Sequence, residues 1–191
     1  YHYLSGSTPS QEVKDWFIPK YKDWSSIVIN TAMNQAVWHN STNKGFYWGA
    51  NSNVAGVAVS LDIGNRIIDN YDERMLQVAS GNLNYLLGVN PLQLSFITGH
   101  GENRVRTTHH VIYMKDFIKE MPNGYMPGGP NNNGKYNFPA KAYNQATVDW
   151  ESNEQALNYN SPLIYLTALL NNVENKTFSE SIQLDNTAGT L

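Results

Sequence analysis

The sequence predicts an all-α chain, and its texture carries that prediction. Apolar residues recur at helical spacing in four separate stretches. Turn formers separate several of those stretches. Residues 88–150 break the periodicity and are crowded with Gly, Pro and Asn. The expected picture is helical hairpins with long loops gathered at one end, and an irregular segment of that length inside a compact domain is usually functional.

The first helix is read from Trp24 through Ile27, Val28, Ala32, Ala36 and Val37. Residues 1–20 are mixed, with Pro19 near their end, and read as a loop or a short helix. A second helix fits residues 53–68, with Val54, Val57, Ala58, Leu61 and Ile68 on one face. Its small residues Ala55, Gly56 and Ala58 allow a close neighbour. A third fits residues 72–87 through Met75, Leu76, Ala79, Leu83, Leu86 and Leu87, with Gly88 as its C-terminal cap and Pro91 beyond. In the long irregular segment the aromatics Phe96, Tyr113, Phe117, Tyr125, Tyr136, Phe138, Tyr143 and Trp150 argue for order. A fourth helix is expected over residues 153–170, N-capped by Asn153, with Pro162 kinking it or restarting it after Ser161. Residues 171–191 are polar and aperiodic, which leads us to expect a domain over residues 1–175 and a polar tail over 176–191.

Composition narrows the function. A hydrophobic fraction of 41% in 191 residues suffices for a core, and only 15% are charged. The formal net charge of −3 gives no electrostatic case for nucleic acid or for an anionic membrane. No apolar run reaches the length of a membrane-spanning helix. Cysteine is absent, so neither a disulfide framework nor a thiolate metal site is available. Aromatics reach 12%, with Tyr far ahead of Phe, and such side chains suit surfaces that grip amphipathic ligands. The opening Tyr-His-Tyr carries no signal-peptide pattern and reads as a cut end. Asn40-Ser41-Thr42 and Asn175-Lys176-Thr177 have the form of glycosylation sequons, a weak signal in an Asn-rich chain.

The stretch from Trp150 to Ser161 holds the densest chemistry. It sets Glu154 among an aromatic, the carboxylate Glu151 and several amides, with Asp149 just ahead of it. A carboxylic acid beside a bound sugar is half of a glycosidase. The competing reading is an ordinary Glu in the first turn of a helix, stabilised by the dipole. His109 and His110, which follow the Gly99-x-Gly101 loop, cannot share one helix face as metal ligands, but either imidazole suits a sugar hydroxyl. Gly128-Gly129-Pro130-Asn131 reads either as a flexible turn or as a rigid loop shaping a cleft wall. Trp38, Trp48 and Trp150 suit a core, while the loop–helix junction at Trp48 suits a stacking platform.

Taken in order, these blocks resemble glycoside hydrolase family 9, the inverting cellulases and related β-glucanases. Phe46 through Ser52 is similar to the family's Trp-Gly-Ser-Asn helix entry, and Asn84 through Pro91 to its Asp-Tyr-(Ile/Leu)-Leu-Gly-x-Asn-Pro block. Ser95 through His110 follows the first family signature, Gly128 through Asn131 its Gly-Gly-Pro-Asn loop, and Tyr143 through Ser161 its second signature. The resemblance implies the C-terminal part of an (α/α)6 barrel with long active-site loops. It places Glu154 at the general acid and His109 at the active-site His. Tyr159 and Asn160 fall at an active-site Tyr and Asn, and Trp48 and Trp150 serve as sugar-binding aromatics.

The resemblance has three gaps. Val111 stands where the family carries a sugar-binding Arg, and Arg104 or Arg106 in the same loop is a candidate replacement. Gln145 stands where the second signature has an Asp. No Asp-rich block of the kind that supplies the catalytic base occurs, and Asp69 and Asp72 do not resemble one. The implied activity is inverting hydrolysis of β-1,4 bonds in cellulose or a related β-glucan, with the base supplied from missing sequence. The alternatives are a non-catalytic glycan-binding descendant, or an exo-acting enzyme on short or amino-substituted oligosaccharides. The implied partners are the glucan and the N-terminal half of the same catalytic domain. No cofactor and no metal site are expected, and the resemblance implies a secreted or cell-surface protein.

Overall fold

The structure is a computed structural model. It describes residues 4–34, 40–42, 45–68, 72–111, 121–132, 137–146 and 149–187, with side chains to residue 172 in the last segment. Ala36, Val37, Trp38, Asp69, Tyr113, Phe117 and Tyr136 lie outside the described residues.

Helices α1 (Gln11–Met33), α2 (Ala50–Ile68) and α3 (Arg74–Leu86) precede the long irregular segment. The single turn α4 (Trp150–Asn153) and the long α5 (Leu157–Thr187) follow it. Among the described residues no strand occurs, only the isolated bridges Ser95–Arg104 and His109–Glu154. None of the described helices is long and apolar enough to cross a membrane.

Of the two readings for residues 1–20, a loop or a short helix, the structure shows helix from Gln11 onward, as the start of the long α1. The buried face of α1 consists of Tyr21, Ser25, Val28, Ile29 and Ala32, all in its later turns. Its first turns carry Val13, Trp16 and Phe17 at helical spacing, but Val13 and Trp16 stay exposed. Pro19 lies on that exposed part, where water can satisfy the carbonyl its missing N–H leaves free.

Helix α2 is the centre of the packing, against α1, α3 and α5. Ala55 and Ala58 are fully buried, so the close neighbour expected from the small residues is present. Gly64 plays the same part toward α1, since a Cβ there would fall 1.9 Å from the Tyr21 ring. That approach lets the Tyr21 hydroxyl donate to the Leu61 carbonyl at 2.9 Å. Helix α3 ends as its sequence predicts. Gly88 has φ +118°, Val89 N–H reaches the Asn84 carbonyl at 2.9 Å and Gly88 N–H the Tyr85 carbonyl at 3.3 Å, a Schellman cap.

The helix expected over residues 153–170 differs at both ends. Asn153 closes α4 instead of capping the long helix, which starts at Leu157. Pro162 neither ends nor restarts α5. The carbonyl that Pro162 leaves without an intrahelical donor belongs to Asn158, and the Ser52 hydroxyl of α2 donates to it at 3.0 Å. No Gly or Pro follows until Gly189, and the backbone stays helical through Thr187, across the region read as a tail.

The described parts of residues 88–150 are ordered by burial and by backbone bonds. Phe96, Val105 and Met126 enter the core formed with α2, α3 and α5. Asn90 staples the turn after α3, its Nδ2 donating to the Tyr85 and Leu94 carbonyls, both at 2.8 Å. Asn40, the first sequon residue, is fully buried, and its Oδ1 accepts from the Thr42 hydroxyl at 2.6 Å.

Candidate active site

Glu154 does not start a helix. It follows α4 with extended backbone, φ −66° and ψ 143°, so the helix-dipole reading of an ordinary first-turn Glu loses its premise. Three chain segments hold this residue. His109 N–H donates to the Asn153 carbonyl at 2.8 Å, and His109 and Glu154 form a parallel bridge. On the other side Gly128 N–H donates to the Glu154 carbonyl at 3.0 Å and Gly129 N–H to the Ser152 carbonyl at 2.8 Å. The backbone of the carboxylate is thus fixed between the His109 segment and the Gly-Gly-Pro loop.

That loop is rigid by construction. Residues 126–130 are buried. Asn51 N–H donates to the Gly128 carbonyl at 2.9 Å, and Asn51 Nδ2 to the Pro127 carbonyl at 3.1 Å. Gly129 has φ +89°, and a Cβ there would stand 2.3 Å from Asn51 Cγ, so only glycine fits. Asn160 fastens the same loop to α5: its Oδ1 accepts from Met126 N–H at 2.8 Å and its Nδ2 donates to the Met126 carbonyl at 3.2 Å.

Tyr159 packs beside the clamp. A Cβ on Gly49 would stand 3.0 Å from its ring, and one on Gly128 3.5 Å. Burial raises the phenol's pKa, the Glu154 charge raises it further, and a hydrogen bond from Trp48 partly offsets both. Tyr159 therefore keeps its proton at neutral pH and presents an O–H donor near Glu154. Trp48 and Trp150 lie together, ring centroids 4.7 Å apart at 60°, and each is 45% exposed. They form an accessible aromatic surface, not a core.

Residues not expected at the site complete the support. Asn153 is fully buried, accepts from the Tyr143 hydroxyl at 2.8 Å, and donates to the Gln145 carbonyl at 3.2 Å. Tyr143 meets Phe96 edge to face at 5.1 Å. Gln145 thus serves through its backbone, which also accepts from the Thr107 hydroxyl at 2.9 Å. The advance signals for Asn153 were its N-cap reading and its place next to Glu154.

Val111 is 61% exposed. Arg104 and Arg106 lie in the loop that leads to His109. They line a cavity with Thr98, Gly99, Met121 and Asn123. Asp72 is committed to Arg74 at 2.7 Å, which holds its carboxyl below the usual range. Among the described residues no three His, Asp or Glu side chains converge as a metal-binding group.

Residues 5–167 match the model of Glycosyl hydrolase family 9. The chain belongs to this family. Among its relatives, a cellulose 1,4-beta-cellobiosidase of Acetivibrio thermocellus is 28% identical over 143 residues, which are 68% of this chain and 16% of that protein. A cellodextrinase of Butyrivibrio fibrisolvens is 32% identical over 130 residues, 63% of this chain and 23% of that one. A single-mutant thermostable endoglucanase from Alicyclobacillus acidocaldarius superposes with TM-score 0.77 at 23% identity, over 84% of this chain and 32% of the other. The fold is accordingly all-α, the C-terminal part of the (α/α)6 barrel of family 9. The family 9 chain spans under a quarter of the length of the two named relatives and about a third of the solved structure.

Proposed function

We propose that this chain supplies the acid side of an active site that hydrolyses β-1,4-glycosidic bonds in cellulose or a related β-glucan with inversion. The observation that carries this reading is the clamp on Glu154. Its backbone is held from both sides next to the Tyr159 phenol. A general acid must meet the leaving oxygen in a fixed geometry, and a carboxylate on a tethered extended segment offers one.

In this scheme Glu154 protonates the leaving oxygen. A carboxylate from residues outside these 191 activates the water, about 6.5–9.5 Å away as inversion requires. The Trp48–Trp150 surface stacks on a sugar face, and His109 and Tyr159 hydrogen-bond its hydroxyls. Asn160 acts on the substrate only through Met126, because its amide is already engaged there. The N-terminal half of the barrel is the required partner, and a polymeric substrate places the protein outside the cell or on its surface.

The test is kinetic, in the protein assembled with the rest of its barrel. Glu154→Gln should lower kcat by about 10²–10⁴-fold with little change in KM. NMR of the first product from a β-linked oligosaccharide should show the α-anomer. Undiminished kcat in the Gln variant would sink the assignment. The exposed, uncharged Val111 favours a second reading, a glycan-binding descendant. That reading predicts oligosaccharide binding with no hydrolysis in either version.

A further inference from the structure

The cavity lined by Thr98, Gly99, Arg104, Arg106, Met121 and Asn123 has no part in the machinery above. Its volume is about 200 Å³, and among the described residues two guanidiniums and no carboxylate line it. Arg104 is braced, its Nη1 donating to the Gly101 carbonyl at 2.9 Å, which leaves most of its donors open. Arg106 is largely exposed. Among the described residues the ion pairs are Asp62–Arg66 and Asp72–Arg74, so no described carboxylate, Glu102 included, pairs with either cavity arginine. Asn123 stands against Gly99, whose φ is +76°; a Cβ on Gly99 would fall 1.9 Å from Asn123 Oδ1. That contact keeps a carboxamide in the wall.

Two unpaired guanidiniums sharing one small cavity repel each other. An oxyanion between them removes the repulsion and occupies both forks. The ligand's size and source follow from the surroundings. The cavity admits one small group, and the chain's net charge of −3 provides no wider field for a polyanion. Arg106 lies three residues before His109, so at most about 10 Å of chain separates it from the cleft. We propose that Arg104 and Arg106 form an anion subsite for the carboxylate of a uronic-acid residue carried by the glycan. The glycan origin rests on the proposed function; the anion site itself does not.

Calorimetry on the full chain tests this with sodium glucuronate, glucose and sodium sulfate at matched ionic strength. Glucuronate should bind saturably and more tightly than glucose, with an affinity that falls as salt is raised. The R104Q/R106Q variant should weaken it by about tenfold or more. Arg106→Gln alone alters only an exposed side chain and should weaken it in the same direction with an unchanged circular dichroism spectrum. Glucuronate no tighter than glucose, or undiminished binding in either variant, overturns the site. Sulfate matching glucuronate overturns the uronate assignment.

A neutral β-1,4-glucan oligosaccharide separates this proposal from the reading it rests on. Its binding should survive R104Q/R106Q and weaken in Trp48→Ala, while glucuronate should show the reverse pattern. Arginine-dependent glucuronate binding without any neutral-oligosaccharide binding would remove the cleft reading and keep the anion site. The opposite result would remove the anion site alone.

Discussion

Replacing Asn153 with Ala should cost more than any exposed change near the cleft. The side chain is fully buried and accepts the Tyr143 hydroxyl at 2.8 Å while donating to the Gln145 and Ala146 carbonyls at 3.2 and 3.4 Å. Burial, then the Asp149 charge, pushes the Tyr143 phenol above the usual tyrosine range, so its hydroxyl remains a donor that must find an acceptor. Each hydrogen bond contributes about 1 kcal/mol net, and an orphaned buried hydroxyl costs about 1–3 kcal/mol. The two long donations come from one Nδ2 and count as about one bond, and the orphan penalty stands in for the lost Tyr143 bond. The sum is therefore about 2–4 kcal/mol, a large part of the roughly 5–15 kcal/mol typical of a folded domain. For a chain of this size that lowers Tm by about 5–15 °C, read by circular dichroism melts. The Tyr143→Phe background removes the orphan, so Asn153→Ala should then cost about 1–2 kcal/mol less. Additive costs in the double variant, or a fall in Tm below about 2 °C for the single one, would refute the claim that this pair fixes the segment before Glu154.

Gly129→Ala should destabilise by about 2–4 kcal/mol in the same melts, because its φ of +89° and the 2.3 Å approach to Asn51 Cγ both exclude a Cβ. Ser52→Ala should cost about 0.5–1 kcal/mol by removing its hydrogen bond to the solvent-accessible Asn158 carbonyl, and the cost should shrink in a Pro162→Ala background, where residue 162 regains an N–H for that carbonyl. Stability should also fall in alkali. Burial and the Asp62 charge raise the Tyr21 pKa to about 12, and burial raises that of Tyr85 as well. A raised tyrosine pKa means the folded state favours the neutral phenol. That contribution is complete below the unfolded value of about 10 and disappears as pH climbs to about 12. Denaturant midpoints should therefore drop over this window, less steeply in Tyr21→Phe; a flat profile would contradict the buried tyrosines.

The helices and their caps were largely legible because their determinants are local. The apolar spacing of α2 and α3 and the stop at Gly88 lie within a few residues of the structure they specify. The early turns of α1, which read as a loop or a short helix, were less legible because Pro19 interrupts the helical spacing of Val13, Trp16 and Phe17. Family resemblance located Glu154, but local cap logic misplaced its conformation. Asn153 looks like an N-cap to any rule that reads neighbours. In the fold its side chain instead serves Tyr143 and the Gln145 and Ala146 carbonyls.

The sequence by itself determined a helical chain, the family's ordered blocks and the identity of one candidate acid. Only the tertiary structure decided that Glu154 is extended, since its backbone partners, His109 and Gly128, come from segments far away in the chain. It also decided that Asn160 is spent on Met126, and that Arg104 and Arg106 line one cavity together. The physical reason is shared. A side chain's chemistry is fixed by its type, but its donors, acceptors and neutralising charges are set by whichever distant segments the fold brings against it.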